Sequence, residues 1–121
     1  MLLAYTNIAV AEAMNLGLKL GLDGEVIKNV VNSSSGRCWA SEVNNPLDRE
    51  RTEYEGGFAV ELMKKDLKLA VKAAEGCGAK LLLDKVAEDV YGGLVHSEPG
   101  KDFSVVYKWL KEQSEKGKQG I

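Results

Sequence analysis

"MLLAYTNIAVAEAMNLGLKL" (Met1–Leu20) is the stretch on which the fold turns. Gly17 is its first glycine, and the run is rich in Ala, Leu and Met, residues that favour helix. On a helical wheel Leu2, Leu3, Ile8, Val10, Met14, Leu16 and Leu18, with alanines between them, leave almost no polar face. A helix that is apolar all round has to be buried all round. In a chain of 121 residues the other helices would struggle to wrap it completely. The missing cover is most simply another subunit or another domain; the competing reading makes it the central helix of a small self-contained bundle. A membrane span is disfavoured, because that needs about 20 apolar residues and Thr6, Asn7 and Glu12 interrupt this run. No basic region of a secretory signal opens it.

Outward from this helix, Asp23 can cap "GEVIKNVVN" (24–32), which sets Val26, Ile27, Val30 and Val31 on one side. A short helix over Cys38 to Val43 stops before "NNP". Residues 46–57, "PLDRERTEYEGG", read as one long polar connection. A long helix from about Phe58 to Glu75 ends at "GCG". "KLLLDKVAEDVYGGLVH" (80–96) makes another, with Leu82, Val86, Val90 and Leu94 at helical spacing, and Asp102 caps a last one, "FSVVYKWLKEQSE". The tail "EKGKQGI" reads as loose. Nothing alternates with period two for long enough to need a strand. The fold class expected is all-α, about six helices, in one domain spanning 1–121.

Composition narrows the function classes. Hydrophobic residues make up 45% and charged residues 28%, the balance of a folded soluble domain. The net charge of -2 offers no basic excess for phosphate, so nucleic acid is a poor partner. Cys38 and Cys77 lie far apart with no CxxC and no histidine cluster, which argues against a disulfide framework or a metal site and fits a reducing compartment. His96, the one histidine, reads as a polar residue near a helix end rather than a catalytic base.

Two stretches carry chemistry. In "NSSSGRCWASEVNNP" (32–46) the serines can cap helices, Gly36 permits a positive φ or a close approach, Arg37 offers a fork for a carboxylate, and Trp39 a flat apolar wall. A capped helix–helix turn with Trp39 in the core explains the same residues. In "GGFAVELMKKDLKLA" (56–70) Gly56 and Gly57 free the backbone at the helix entrance, and Lys64, Lys68 and Lys72 form a solvated ridge. Lys65 lies off that ridge, with Glu61 one turn before it as a possible pair. Asp66 has Leu62, Met63, Leu69 and Ala70 as helical neighbours, which predicts a buried carboxylate that needs a partner such as Arg37 or the serine hydroxyls. Together these predict one polar site between the serine turn and the Lys-Asp helix.

"AEAMNLGLKLGLD", "NSSSGRCWASEVNNP", "GGFAVELMKKDLKLA" and "KDFSVVYKWL" resemble, in order and spacing, the C-terminal helical domain of the 3-hydroxyisobutyrate dehydrogenases, within the wider β-hydroxyacid dehydrogenases. The resemblance implies a two-domain NAD-dependent enzyme with an N-terminal Rossmann domain, which oxidises a small hydroxy-carboxylate and in which a lysine of a Lys-x-x-Asn-Asn motif shuttles the hydroxyl proton. That motif and a GxGxxG are expected to precede Met1, so no catalytic residue is expected in this chain. The resemblance implies that Lys65 contacts the cofactor, that Ser35, Gly36, Trp39 and Phe58 line the substrate pocket, and that Asp66 and Arg37 support it. It also implies a homo-oligomer, dimer or tetramer, built through the helical domain, and a mitochondrial matrix location in eukaryotes or cytoplasm in bacteria. The segment after Pro46 is shorter than the family's usual Pro/Gly-rich loop, so the pocket rim departs from the pattern. The rival function is a non-catalytic helical interaction module.

Overall fold

Asn7 interrupts the apolar run of the first helix, and the chain folds around it. The computed structural model describes residues 1–119. Helix α1 (Leu2–Lys19) buries Ala4, Asn7, Val10, Ala11, Met14 and Gly17, one stripe at helical spacing. Small residues in that stripe let neighbours approach closely: a Cβ on Gly17 would come within 2.6 Å of the Ile27 side chain. Helices α2 (Gly24–Asn32), α3 (Trp39–Glu42) and α4 (Pro46–Arg49) pack against α1, and so does α7 (Val106–Gln119). Helices α5 (Val60–Cys77) and α6 (Asp84–Ser97) form a pair that joins the rest chiefly through α6. The core gathers Met14, Met63, Leu67, Tyr91, Phe103 and Tyr107.

The all-α expectation holds: the described residues contain seven α-helices, two of them a single turn, and two 3-10 turns, with no strand beyond an isolated bridge between Ala59 and Asp102. Asp23 caps α2 as its sequence requires, its carboxylate accepting from the Glu25 and Val26 amides at 2.9 and 3.3 Å. Lys28 then ties α2 to α4, donating to Asp48 at 2.6 Å and to Glu25 at 2.9 Å. The bond to Asp48 is the main reason the Lys28 ammonium holds its proton more tightly than usual.

Several local expectations are corrected. Residues 46–57 are not one irregular connection. Pro46 takes the first position of α4, where its missing N–H costs nothing, and Asn45 caps that helix by accepting from the Leu47 amide at 3.0 Å. A 3-10 turn, Glu50–Thr52, follows directly. Of the α2 stripe only Ile27 is buried and Val31 half-buried, while Val26 and Val30 face outward. The buried stripe of α6 is Ala87, Tyr91 and Leu94, and Leu82 and Val86 are exposed. Glu115–Gln119 continue α7 rather than fraying, and Gly120 and Ile121 lie outside the described residues. His96 is exposed in the last turn of α6.

The apolar first helix is covered on one side only. Leu2 keeps 72% of its surface and Leu16 62%, and Leu20 just beyond the helix is equally open. The chain's own helices therefore do not bury it all round.

Candidate functional site

Three aromatic rings converge where α3, the entrance of α5 and the 3-10 turn Phe103–Val105 meet. Phe103 is fully buried. The Trp39 ring lies nearly parallel to it, 6.5 Å between centroids and 13° between planes. Phe58 meets it edge-on, at 6.0 Å and 82°. Both are favourable aromatic arrangements. Trp39 nevertheless remains 50% exposed, so it is a wall rather than a core anchor.

Beside Phe103 sits the best-connected carboxylate of the molecule. Asp102 is 1% exposed. One oxygen accepts from the Phe58 amide at 2.8 Å and from the Arg49 guanidinium at 3.3 Å. The other accepts from the Asn44 side chain at 2.9 Å, the Ser104 amide at 3.1 Å and the Ser104 hydroxyl. A buried carboxylate with this many donors meets the condition for burying a charge. The Asp102 amide donates to the Tyr54 carbonyl and the Phe103 amide to the Phe58 carbonyl, both at 2.8 Å. Gly57, at φ +69°, passes so close that a Cβ there would lie 2.2 Å from an Asp102 oxygen and 1.8 Å from the Arg49 guanidinium. Thus Gly57 is spent on internal packing, while its neighbour Gly56, at φ +71°, stands in open space.

The Phe103 carbonyl is held from two further helices. Asn7 of α1 donates to it at 3.1 Å and Tyr91 of α6 at 3.2 Å, and Asn7 also donates to the Tyr91 hydroxyl at 2.7 Å. Burial pushes the Tyr91 hydroxyl far above its usual pKa, and the Asn7 hydrogen bond opposes this only in part.

The serine turn lies elsewhere. Ser33 and Ser34 do not cap the following helix; their hydroxyls bond back to the carbonyls of Val30 and Val31. Cys38 starts α3, its amide donating to the Ser41 hydroxyl at 2.8 Å. Ser35, Gly36 and Arg37 line a hollow of about 430 Å³ against Thr6, Ala13 and Met14 of α1. Gly36 has no positive φ, and a Cβ there would make only an ordinary 3.5 Å contact with Val31. Arg37 is exposed and reaches Glu42 loosely at 3.9 Å.

Asp66 corrects the sequence reading outright. It is exposed, with no hydrogen bond or ion pair among the described residues, so neither Arg37 nor the serines partner it. The reason is that α5 packs on one side only: Val60, Met63, Leu67 and Ala74 are buried, while Leu62 and Leu69, the apolar neighbours that suggested burial, are themselves in water. Lys65 is exposed too, without an ion pair among the described residues. Glu61 does not pair with it; its carboxylate accepts from the Gly100 amide at 2.9 and 3.1 Å.

A larger hollow, about 550 Å³, is lined by Glu50, Tyr54, Glu98, Lys108 and Lys111 and touches none of the expected site residues. Size does not make it a better site. Lys108 is paired with Glu98 and Lys111 with Glu50, each at 2.6 Å, so its cations are already neutralised. The aromatic junction has the more specific chemistry.

What sequence reasoning missed was the frame around that junction: Asn7, Asn44, Arg49, Tyr91 and Phe103. Asn7 alone had a signal, as a polar residue inside an apolar run. Among the described residues no group of three His, Cys, Asp or Glu could hold a metal ion, and no helix is long and apolar enough to cross a membrane.

Comparison with known proteins accounts for this architecture. Residues 1–110 match the family model described as the NAD-binding region of NADP-dependent 3-hydroxyisobutyrate dehydrogenase, whose cofactor is a nicotinamide dinucleotide. The mitochondrial 3-hydroxyisobutyrate dehydrogenase of Drosophila melanogaster is 42% identical over 93% of this chain, and the human mitochondrial enzyme 41% over 93%. Those matches take in only 37% and 36% of the two relatives, so the chain spans little more than a third of their length. A solved structure of Mycobacterium tuberculosis 3-hydroxyisobutyrate dehydrogenase with L-serine superimposes at a TM-score of 0.85 and 35% identity, covering 91% of this chain and 40% of that one. By sequence along nearly its whole length and by the path of its helices, this chain belongs to the 3-hydroxyisobutyrate dehydrogenase family.

Proposed function

We propose that this chain is the helical C-terminal part of an NAD-dependent 3-hydroxyisobutyrate dehydrogenase, which oxidises 3-hydroxyisobutyrate to methylmalonate semialdehyde in valine breakdown. The observation that carries the reading is Trp39: a large ring held flat on buried Phe103, beside Phe58, yet open to the outside. A rigid aromatic surface left uncovered by its own chain is half of a pocket. It suits the methyl-bearing side of a small branched hydroxy acid, and the L-serine in the mycobacterial relative is a hydroxy-carboxylate of similar size.

In this reading hydride passes from the hydroxyl-bearing carbon to the nicotinamide while the hydroxyl proton goes to a lysine base. Neither Lys-x-x-Asn-Asn nor GxGxxG occurs within the 121 residues, so both belong to another part of the enzyme and the chain alone turns over nothing. Trp39 and Phe58 exclude water from the reacting carbon. Ser35, Gly36 and Arg37, set against α1, contribute at the pocket's edge. Lys65 acts from the exposed face of α5. Lys65 fits a cofactor contact because its ammonium has no counter-ion among the described residues. It is one cationic contact, so NAD is held mainly by a nucleotide-binding domain. The exposed side of α1 then meets that domain or a second copy of the chain in a dimer or tetramer. The compartment is the mitochondrial matrix in a eukaryote and cytoplasm in a bacterium.

The test joins the nucleotide-binding part of the Drosophila relative, with its lysine motif, to this chain and follows NAD reduction by 3-hydroxyisobutyrate. Turnover by the joined protein and none by the 121 residues alone is expected. A folded fusion that binds NAD and oxidises no 3-hydroxyisobutyrate overturns the proposal.

A further inference from the structure

Trp39 and Phe58 lie on different elements, and an open wall made of two such rings has to be held at fixed spacing. The two arms are tied to one carboxylate. The Phe58 amide donates to one oxygen of Asp102 at 2.8 Å. On the other arm the Trp39 carbonyl accepts from the Asn44 amide at 3.2 Å, and the Asn44 side chain donates to the second Asp102 oxygen at 2.9 Å. Both rings rest on the next residue, Phe103, one nearly parallel to it and one edge-on. Phe103 cannot drift, because its amide is bound to Phe58 and its carbonyl to Asn7 of α1 and Tyr91 of α6.

We infer that Asp102 and Phe103 are the positioning residues of the substrate wall: one carboxylate oxygen holds the Phe58 amide, the other holds the Trp39 arm through Asn44, and the buried ring orients exposed Trp39 and half-buried Phe58. This rests on the reading of Trp39 and Phe58 as substrate-lining. Neither positioning residue touches substrate. Their effect is exerted through the two rings, and misplacing a binding surface by about 1 Å is enough to cost a large factor in turnover efficiency.

Two measurements test this, one of them independent of the reaction. The chain has two tryptophans, so Trp109→Phe leaves Trp39 as the sole reporter. In that background Phe103→Leu should lower the Trp39 fluorescence anisotropy and raise its quenching by acrylamide roughly twofold, at a temperature where helical circular dichroism is unchanged. Phe103→Met, closer in volume, gives the same direction with less risk to folding. In the joined enzyme Asp102→Asn and Phe103→Met should raise KM for 3-hydroxyisobutyrate about tenfold, with kcat moved less than about threefold and KM for NAD unchanged. A purely structural role would lower the melting temperature and leave both readouts at the parent values below it; that result overturns the inference. Trp39→Ala and Phe58→Ala separate the two levels. If they raise KM while Phe103→Met does not, positioning is wrong and the wall stands. If they leave KM unchanged, the wall is wrong, and the positioning role in the reaction falls with it whatever the fluorescence shows.

Discussion

The dipeptide Lys-Asp occurs twice, as Lys65-Asp66 and as Lys101-Asp102, and the two copies have opposite fates. Asp66 stands in water on α5. Asp102 is 1% exposed and accepts from Asn44, Arg49, Phe58 and Ser104. The apolar neighbours of Asp66 on the helical wheel argued for burial, yet a wheel ranks faces only within one helix. Whether a face is covered depends on what the rest of the chain brings to it, and α5 is packed chiefly by α6. Asp102 lies in a turn where three segments distant in sequence deliver donors to the same two oxygens. One Lys-Asp is left on an open surface; in the other the aspartate builds the frame.

The sharpest way to break this contrast is to remove each carboxylate. Asp102→Ala leaves Arg49 and Asn44 facing an empty acceptor and should cost about 3–5 kcal/mol, a large part of the 5–15 kcal/mol typical of a domain. Urea denaturation measures it, and a loss below about 1 kcal/mol would show that the Asp102 frame does not hold the turn.

The glycine pair sharpens the comparison next. Gly57→Ala forces a Cβ into Arg49 and Asp102 at a positive φ, for about 2–4 kcal/mol. Gly56→Ala, at φ +71° with open space, should cost only about 1 kcal/mol. Equal melting temperatures for the two variants would contradict the packing described for Gly57.

Alkaline titration probes the frame from a third side. Burial raises the hydroxyl pKa of Tyr54 and Tyr91, and with help from the Glu50 charge it carries Tyr107 to about 12, from an ordinary value of 10.0. Folded tyrosines therefore keep protons that unfolded ones release. The linked stability is fully present below pH 10 and is lost as pH rises towards 12 and beyond. Loss of helical circular dichroism should coincide with the rise of tyrosinate absorbance. Tyr91→Phe removes the bonds to Asn7 and Phe103, should cost about 1 kcal/mol at neutral pH, and should soften the alkaline transition. More than one tyrosinate forming near pH 10 with the helices intact would contradict the burial of Tyr54, Tyr91 and Tyr107.

The smallest effect belongs to the first aspartate: Asp66→Ala should change stability by less than about 0.5 kcal/mol, in the range of surface substitutions. A loss of several kcal/mol would restore the buried carboxylate that the helical pattern suggested.

Much of the fold was legible because its signals are local. Asp23 before "GEVIKNVVN", "NNP" after a short helix and Gly78 at the end of α5 act within one turn of themselves, and each boundary falls within two residues of its expected place. The 46–57 segment was read as a loop because single-turn helices leave too short a pattern to detect, although Asn45-Pro46 is a helix-start signal in its own right. Of the site residues, Trp39 and Phe58 do come together, through a Phe103 that nothing local marks. Ser35, Gly36 and Arg37 meet α1 instead of the Lys-Asp helix.

By itself the sequence determined where the longer helices lie to within a few residues, that the class is all-α, and which family the motifs belong to, because caps, glycines, prolines and apolar periodicity act over a few bonds. Only the tertiary structure decided which aspartate is buried, which ring is the anchor and which face of α1 stays open. Those outcomes depend on donors and surfaces brought from Asn7, Asn44, Arg49, Phe58 and Tyr91, and the energy of a buried charge is set by that assembled company rather than by its neighbours along the chain.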